Sequence, residues 1–263
     1  MPIAGGTDIM VVYSAGKLSP RRMVSIAGFS ELRAIELTPH EVRIGSGTTY
    51  TTIRQHPVLS TEFPLLARSA SLTGGIANQN RGTLGGNIAN ASPAGDSLPV
   101  LLAYDADLIL LSTRGERRVP YRTFHTGYKT MQLAPDELIG SIVLQRSSQN
   151  LFHYSKKVGA RNAQAISKVF LAAVGEVSND QTLSTIRLAA GSVGPTPVRL
   201  LKTEEALQNQ ALTTDLINHA REILAAEIQP IDDIRSTAQY RVAVLRNLCA
   251  EFLSDLSQWR GPQ

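Results

Sequence analysis

Cysteine is all but missing from this chain. A single one, Cys249, among 263 residues leaves no internal disulfide. No iron–sulfur cluster or structural zinc site can be built from several thiolates of this polypeptide either. The five histidines, His40, His56, His125, His153 and His219, stand apart with no metal-ligand spacing. Aromatic residues make up only 5%, and no aromatic-rich segment accompanies the basic ones. Long apolar runs are absent too. A membrane span needs about 18 or more uninterrupted apolar residues, and the best stretch, residues 98–111, is broken by Asp105 and Asp107. No basic leader precedes an apolar stretch at the N-terminus, so no secretory signal is expected and the cytoplasm is the expected location. Nor is there a run of like charge. The formal charge is +4 and the isoelectric point about 9.3, yet cations fall in isolated pairs: Arg21 with Arg22, Arg117 with Arg118, Lys156 with Lys157. Such pairs read as solvated surface charge and not as a nucleic-acid site.

What is present is the composition of a folded globule, 43% hydrophobic and 18% charged, long enough for one large domain or two smaller ones. Short β-like runs punctuated by glycine fill the first half, at residues 22–26, 41–45, 107–112 and 137–144. The run Glu41-Val42-Arg43-Ile44 alternates as a half-buried strand does. Helices are predicted at 51–55 after a threonine cap, at 65–72 after Pro64, and at 97–104, where Asp96 is the expected N-cap. A polar stretch at 145–150 marks a domain boundary, giving domains 1–147 and 148–263. The second part begins with β-like runs at 152–158, 166–177 and 185–190. Apolar residues at helical spacing follow at 216–224 and 244–256. Strands followed by helices predict an α+β layer, one sheet with helices on one face. Cys249 lies beside the last apolar stripe, as a buried inert thiol would.

Two segments carry the chemistry. The first is Ile3-Ala4-Gly5-Gly6-Thr7-Asp8. The second is Arg81-Gly82-Thr83-Leu84-Gly85-Gly86-Asn87-Ile88, running on to Ala94-Gly95-Asp96. Paired glycines let a bulky anion approach the main chain, and successive N–H groups then form a concave anion nest. Thr7, Thr83 and Asn87 add side-chain donors, and Asp8 and Asp96 are acceptors suited to sugar hydroxyls. Two such nests would grip the two phosphates of a dinucleotide; the alternative is a pair of tight turns with no ligand. Competing motifs fail. There is no P-loop. Gly45-Ser46-Gly47-Thr48-Thr49-Tyr50 starts like a dinucleotide fingerprint, but Tyr50 stands at the last glycine position. Ala190-Gly191-Ser192-Val193-Gly194 resembles a nucleophile elbow with alanine where glycine is required. The acid pairs Asp105/Asp107 and Asp232/Asp233 read as solvated turns.

The two loops resemble the flavin-binding signatures of the molybdenum hydroxylases, and the chain as a whole resembles their separate FAD-binding medium subunit. Tyr154-Ser155-Lys156-Lys157-Val158-Gly159-Ala160-Arg161, the run Gly191 to Pro197 and the run Asp233 to Arg241 resemble its C-terminal domain. The resemblance implies an α+β fold: a two-subdomain FAD-binding unit of the vanillyl-alcohol oxidase type, then an α+β C-terminal domain as in carbon monoxide dehydrogenase flavoproteins. It implies that Ile3, Ala4, Gly5, Gly6, Thr7 and Asp8 wrap the pyrophosphate. Thr83, Gly85, Gly86 and Asn87 would form the second loop, with Asp96 near the ribityl chain. Leu138 or Ile139 would cover the flavin ring, with Lys157 near its polar edge. It implies no catalytic side chain, because the flavin carries the redox chemistry. The partners it implies are a large molybdopterin subunit, a small 2Fe-2S subunit and an external acceptor, whether NAD, oxygen or a quinone-linked carrier. The family usually has a short strand–helix segment before the first loop, and the near-absence of residues before Ile3 predicts weak FAD retention. Two other readings stay open: a stand-alone flavin oxidoreductase of the same fold, and a flavin-free assembly subunit.

Overall fold

The computed structural model describes residues 1–18, 22–148, 150–161, 164–178, 180–259 and 261. Arg21 of the first basic pair and Gln149 of the polar stretch lie outside the described residues. The alternating run becomes strand Glu41–Gly45 with Val42 and Ile44 buried. It belongs to a five-stranded antiparallel sheet in the order Ile35–Leu37, Glu41–Gly45, Leu138–Gln145, Asp107–Ser112, Gly115–Pro120. Helices Tyr50–Gln55, Pro64–Leu72 and Leu84–Asn90 lay Ile53, Leu66, Leu84 and Ile88 against Ile44, Leu108 and Ile142 in one core. Thr49 caps the first of these, its hydroxyl accepting from Thr52 N–H at 3.2 Å, and Pro64 opens the second at a position where no N–H is needed. The strand expected at 22–26 is only Val24–Ser25, exposed and paired in parallel with Pro2–Ile3.

The C-terminal part is a four-stranded antiparallel sheet, Phe152–Val158, Val169–Val177, Leu183–Gly191 and Val198–Arg199. Helices Thr214–Glu227 and Ala238–Gln258 cover one face, bringing Ala220, Leu224, Leu245, Phe252 and Leu256 onto Leu171, Ala173 and Leu188. Thr213 and Thr237 cap them through Leu216 N–H at 3.1 Å and Tyr240 N–H at 3.2 Å. The other face is not free, contrary to the one-sided layer expected. Phe170, Ala172, Val174 and Ala189 face the N-terminal core. There the helix Ser97–Ala103, buried at all seven positions, packs on the two central strands. Burial on both faces explains why Val169–Val177 is apolar at nearly every residue instead of alternating. Leu101→Ala in this shared helix is expected to cost about 2–5 kcal/mol and to lower the stability of both sheets in one cooperative transition. Two separate melting transitions in the variant would contradict the shared core.

The strand Gly115–Pro120 has no apolar pattern to announce it. Its polar side chains are neutralised in place. Arg118 pairs with Asp107 at 2.8 Å and Glu41 at 3.2 Å. Asp107 itself opens a strand, so only Asp105, at φ 53°, keeps the turn expected of that acid pair. No helix among the described residues is long and apolar enough to cross a membrane.

Candidate functional site

The first glycine loop leaves strand Pro2–Ile3, turns at Gly6 with φ 78°, and runs into helix Ile9–Ser14. Among the described residues the N–H groups of Gly6, Thr7 and Asp8 have no protein acceptor. Three consecutive donors without a protein acceptor are what an anion nest requires. The second loop is different. Leu84 N–H donates to Thr48 O at 3.1 Å, Gly85 N–H to Ser46 O at 2.8 Å, Gly86 N–H to the Thr83 hydroxyl at 3.1 Å, and Asn87 N–H to Thr83 O at 3.0 Å. Its amides are spent on starting helix Leu84–Asn90 and on the Gly45-to-Thr49 turn beneath it. That turn is therefore a platform for the loop, and the expected second nest is absent among these four groups. Gly86 instead offers a bare surface: outside its own helix only the Thr83 hydroxyl lies within 4 Å of where a side chain would begin.

The two loops touch. A Cβ on Gly5 would overlap the Arg81 carbonyl oxygen and stand 2.6 Å from its carbon, while Arg81 Nε donates to Gly5 O at 3.4 Å. Asn87 Oδ1 accepts from Ser97 Oγ at 2.7 Å, which leaves the amide nitrogen for a ligand. Asp96 precedes helix Ser97–Ala103 but makes no side-chain cap bond. Its carboxylate accepts from Lys157 Nζ and Ser167 Oγ, each at 2.6 Å. Burial pushes the Asp96 carboxyl up, and the Lys157 ammonium draws it back. The expectation of solvated charge thus holds for Lys156, paired with Glu251 at the surface, and fails for Lys157. Strand alternation turns one of two neighbouring lysines outward and the other inward. Ahead of Leu138 and Ile139, Arg117 grips Glu137 through two bonds of 2.6 and 2.8 Å, and Ala134 N–H adds a third at 2.9 Å. The Arg117 bonds hold the Glu137 carboxyl down to about 2, and the turn that delivers Ile139 is fixed.

These pieces border one open cleft of about 1550 Å³ between the two domains. Ala4, Gly5, Gly6, Thr7, Asp8, Thr83, Gly85, Gly86, Asn87, Asp96 and Ile139 line it; Ile3, Leu138 and Lys157 do not. The far wall was not anticipated. It comes from the C-terminal domain, with Gln164, Ser167, Pro195, Ile231 and Arg241. The Asp233-to-Arg241 run was visible as a family signature, but nothing local tied it to a cavity. Tyr50 was also missed as a wall residue. Its ring packs under Gly82, its hydroxyl is buried with no hydrogen bond, and burial pushes that hydroxyl's pKa up.

A long, two-walled cleft with three free amides at one point, a bare glycine, and amide and carboxylate groups further along fits an extended dinucleotide such as FAD. Among the described residues no group of three or more His, Cys, Asp or Glu is placed to hold a metal. Cys249 is fully buried, and burial pushes its thiol up to about 12. The folded protein is therefore expected to be inert to a thiol reagent and to yield one thiol on denaturation. Fast labelling of the native chain would contradict this placement.

Residues 1–144 match the FAD binding domain in molybdopterin dehydrogenase, and residues 154–256 match the CO dehydrogenase flavoprotein C-terminal domain. A putative xanthine dehydrogenase FAD-binding subunit of Escherichia coli (strain K12) is 31% identical over 96% of this chain and 87% of its own length. The glyceraldehyde dehydrogenase medium chain of Sulfolobus acidocaldarius is 28% identical over 97% and 90%. Among solved structures, the carbon monoxide dehydrogenase of Hydrogenophaga pseudoflava superposes with a TM-score of 0.91 at 27% identity, covering 95% of this chain and 87% of that one.

Proposed function

Because the chain belongs to the family of the FAD-binding domain in molybdopterin dehydrogenase, we propose that it is the flavin-bearing electron-transfer subunit of such a complex, standing between iron–sulfur clusters in a partner and an external acceptor. The observation that carries the reading is the row of free N–H groups at Gly6, Thr7 and Asp8, opening on the same cleft as the bare surface of Gly86. FAD, when bound, supplies the redox chemistry. The chain supplies position and polarity. Ala4 to Asp8 hold the pyrophosphate, with Thr83, Gly85, Gly86 and Asn87 shaping the opposite side. Asp96 accepts from ribityl hydroxyls, and Ile139, the one of the pair with Leu138 that lines the cleft, covers the ring. We keep the domain boundary at 147/148, within the turn Arg146–Ser148.

The partners follow from what this chain lacks. Its one cysteine is buried among apolar side chains, so this chain offers no set of thiolates for a cluster; we place the iron–sulfur clusters in a second polypeptide, the molybdopterin in a third, and the whole complex in the cytoplasm. The relatives' own descriptions, "FAD-binding subunit" and "medium chain", support a multi-chain assembly. The test is a visible spectrum of the purified chain before and after FAD addition and desalting. The expected result is oxidised-flavin absorption that saturates at one FAD per chain on addition and declines on desalting, and co-purification with two partner chains when this chain is tagged in its own cells. A chain that takes up no flavin on addition would sink the proposal, and one that turns over a small reductant unaided would favour a stand-alone oxidoreductase.

A further inference from the structure

Asp96 sits at the seam of the two domains. It belongs to the N-terminal domain, at the start of the helix that both cores share, yet both carboxylate oxygens are held by C-terminal residues. Lys157 Nζ holds Oδ2 and Ser167 Oγ holds Oδ1, both at 2.6 Å. The same ammonium donates to Leu72 O at 3.1 Å, at the end of helix Pro64–Leu72. The pair is buried, with side chains 10% and 7% exposed. Asp96 lines the cleft; Lys157 does not.

We infer that Lys157 is a positioning residue, clamping Asp96 across the domain seam so that its carboxylate is presented to the hydroxyls of a bound FAD, and acting through Asp96 instead of at the redox ring. The inference rests on the FAD reading above. A carboxylate this buried is costly unless paired. The groups facing it are Lys157 from strand Phe152–Val158, Ser167 from the segment before Val169–Val177, and Tyr50 from helix Tyr50–Gln55. On its own helix, Ser97 is committed to Asn87. Without the ammonium, desolvation of Asp96 is opposed only by the Ser167 hydroxyl. The carboxyl then takes up its proton at higher pH than in the wild type and is lost as an acceptor for ligand hydroxyls.

The experiment uses the full chain stripped of flavin and titrated with FAD from pH 6 to 9, in Lys157→Met, Asp96→Asn, the double variant and Lys157→Arg. The expected results form one pattern. Lys157→Met weakens binding progressively as pH falls, by no more than about tenfold per pH unit, and levels off at the affinity of Asp96→Asn. Asp96→Asn binds weakly with no such dependence, the double variant is no weaker than Asp96→Asn, and Lys157→Arg recovers most of the affinity. The midpoint potential of bound flavin stays at the wild-type value. Losses that add in the double variant, an unaltered pH profile in Lys157→Met, or a shifted potential at unchanged affinity would each overturn the inference. Should Lys157→Met not fold, Ser167→Ala removes the second clamp bond without stranding a charge. It is expected to weaken FAD severalfold, and wild-type affinity there counts against the clamp. A wild-type chain that takes up no FAD defeats the cofactor reading itself. That failure is recognisable because the same cycle, read as melting temperatures of the ligand-free protein, still reports whether Asp96 and Lys157 are coupled.

Discussion

Gly5→Ala is expected to empty the flavin site while leaving the fold intact. The added methyl would overlap the Arg81 carbonyl oxygen and stand 2.6 Å from its carbon, a contact with backbone that no rotamer change relieves. Arg81 closes the helix Ile76–Arg81, and Gly82 N–H is bonded to Asn78 O at 2.6 Å, so the second loop has little room to retreat. The first loop must lift away instead, carrying the free amides of Gly6, Thr7 and Asp8 out of register with Gly86. Overpacking of this kind costs about 1–3 kcal/mol, which is roughly 5- to 150-fold in FAD affinity if it falls on the bound state. Gly5 lies outside both hydrophobic cores, so far-ultraviolet circular dichroism should match the wild type. Gly28→Ala is the control: nothing lies within 4 Å of its Cβ and its φ is not positive. FAD retention in Gly5→Ala equal to that of Gly28→Ala would refute the loop-on-loop contact.

Arg241→Met should cost more stability than any surface change in the chain. Arg241 is 3% exposed. It donates to Lys168 O at 2.7 Å, Ser192 O at 3.0 Å and Asp233 Oδ1 at 2.7 Å, so one side chain ties three segments of the C-terminal wall of the cleft together. Removing it takes one donor from each of two carbonyls and the buried cation from a carboxylate that keeps Arg235 and the Ser236 N–H. Breaking a buried pair costs about 3–5 kcal/mol, and the partial exposure of Asp233 brings the expectation to about 3 kcal/mol. Denaturant midpoints measure it. Arg235, which pairs with the same carboxylate at 3.1 Å from an exposed position, should be worth no more than about 1 kcal/mol when replaced by alanine. A pH signature accompanies the difference. Desolvation pushes the Asp233 carboxyl up, but the Arg235 N–H and side chain, the Ser236 N–H and the Arg241 charge outweigh it and hold the group down to about 2. Its folded value is below its unfolded one, so the stabilisation is present above about pH 4 and lost as the pH falls towards 2. In Arg241→Met the folded value moves up towards the unfolded one, so that loss should be smaller and be complete at higher pH, and an unchanged acid limb would show that Arg241 contributes nothing to Asp233.

Much of the architecture is legible along the chain because it is written in short-range patterns. Alternation marked Glu41–Gly45, helical spacing marked Thr214–Glu227 and Ala238–Gln258, and paired glycines marked both loops. Elements without such a pattern escaped. Gly115–Pro120 is a charged edge strand whose partners, Glu137, Asp107 and Glu41, lie elsewhere in the sequence. Helix Leu84–Asn90 begins inside what reads as a glycine turn, because the capping Thr83 and the carbonyls of Ser46 and Thr48 absorb its first amides. Asp96 has the residue type and place of a helix cap and does another job, since a buried ammonium is a stronger partner for a carboxylate than an exposed backbone N–H.

The sequence by itself carried the α+β class through its periodicity, and the family and the cofactor through its resemblance to the medium subunit of the molybdenum hydroxylases; glycine pairs, periodicity and the order of motifs are local properties that survive any arrangement of the rest. Only the tertiary structure decided which of those motifs act together. Gly5 meets Arg81 across 76 residues, Lys157 meets Asp96 across 61, and Arg241 meets Lys168 across 73. Such meetings depend on how two sheets and a shared buried helix pack. Packing is a sum over many weak contacts, so no short stretch of sequence records it.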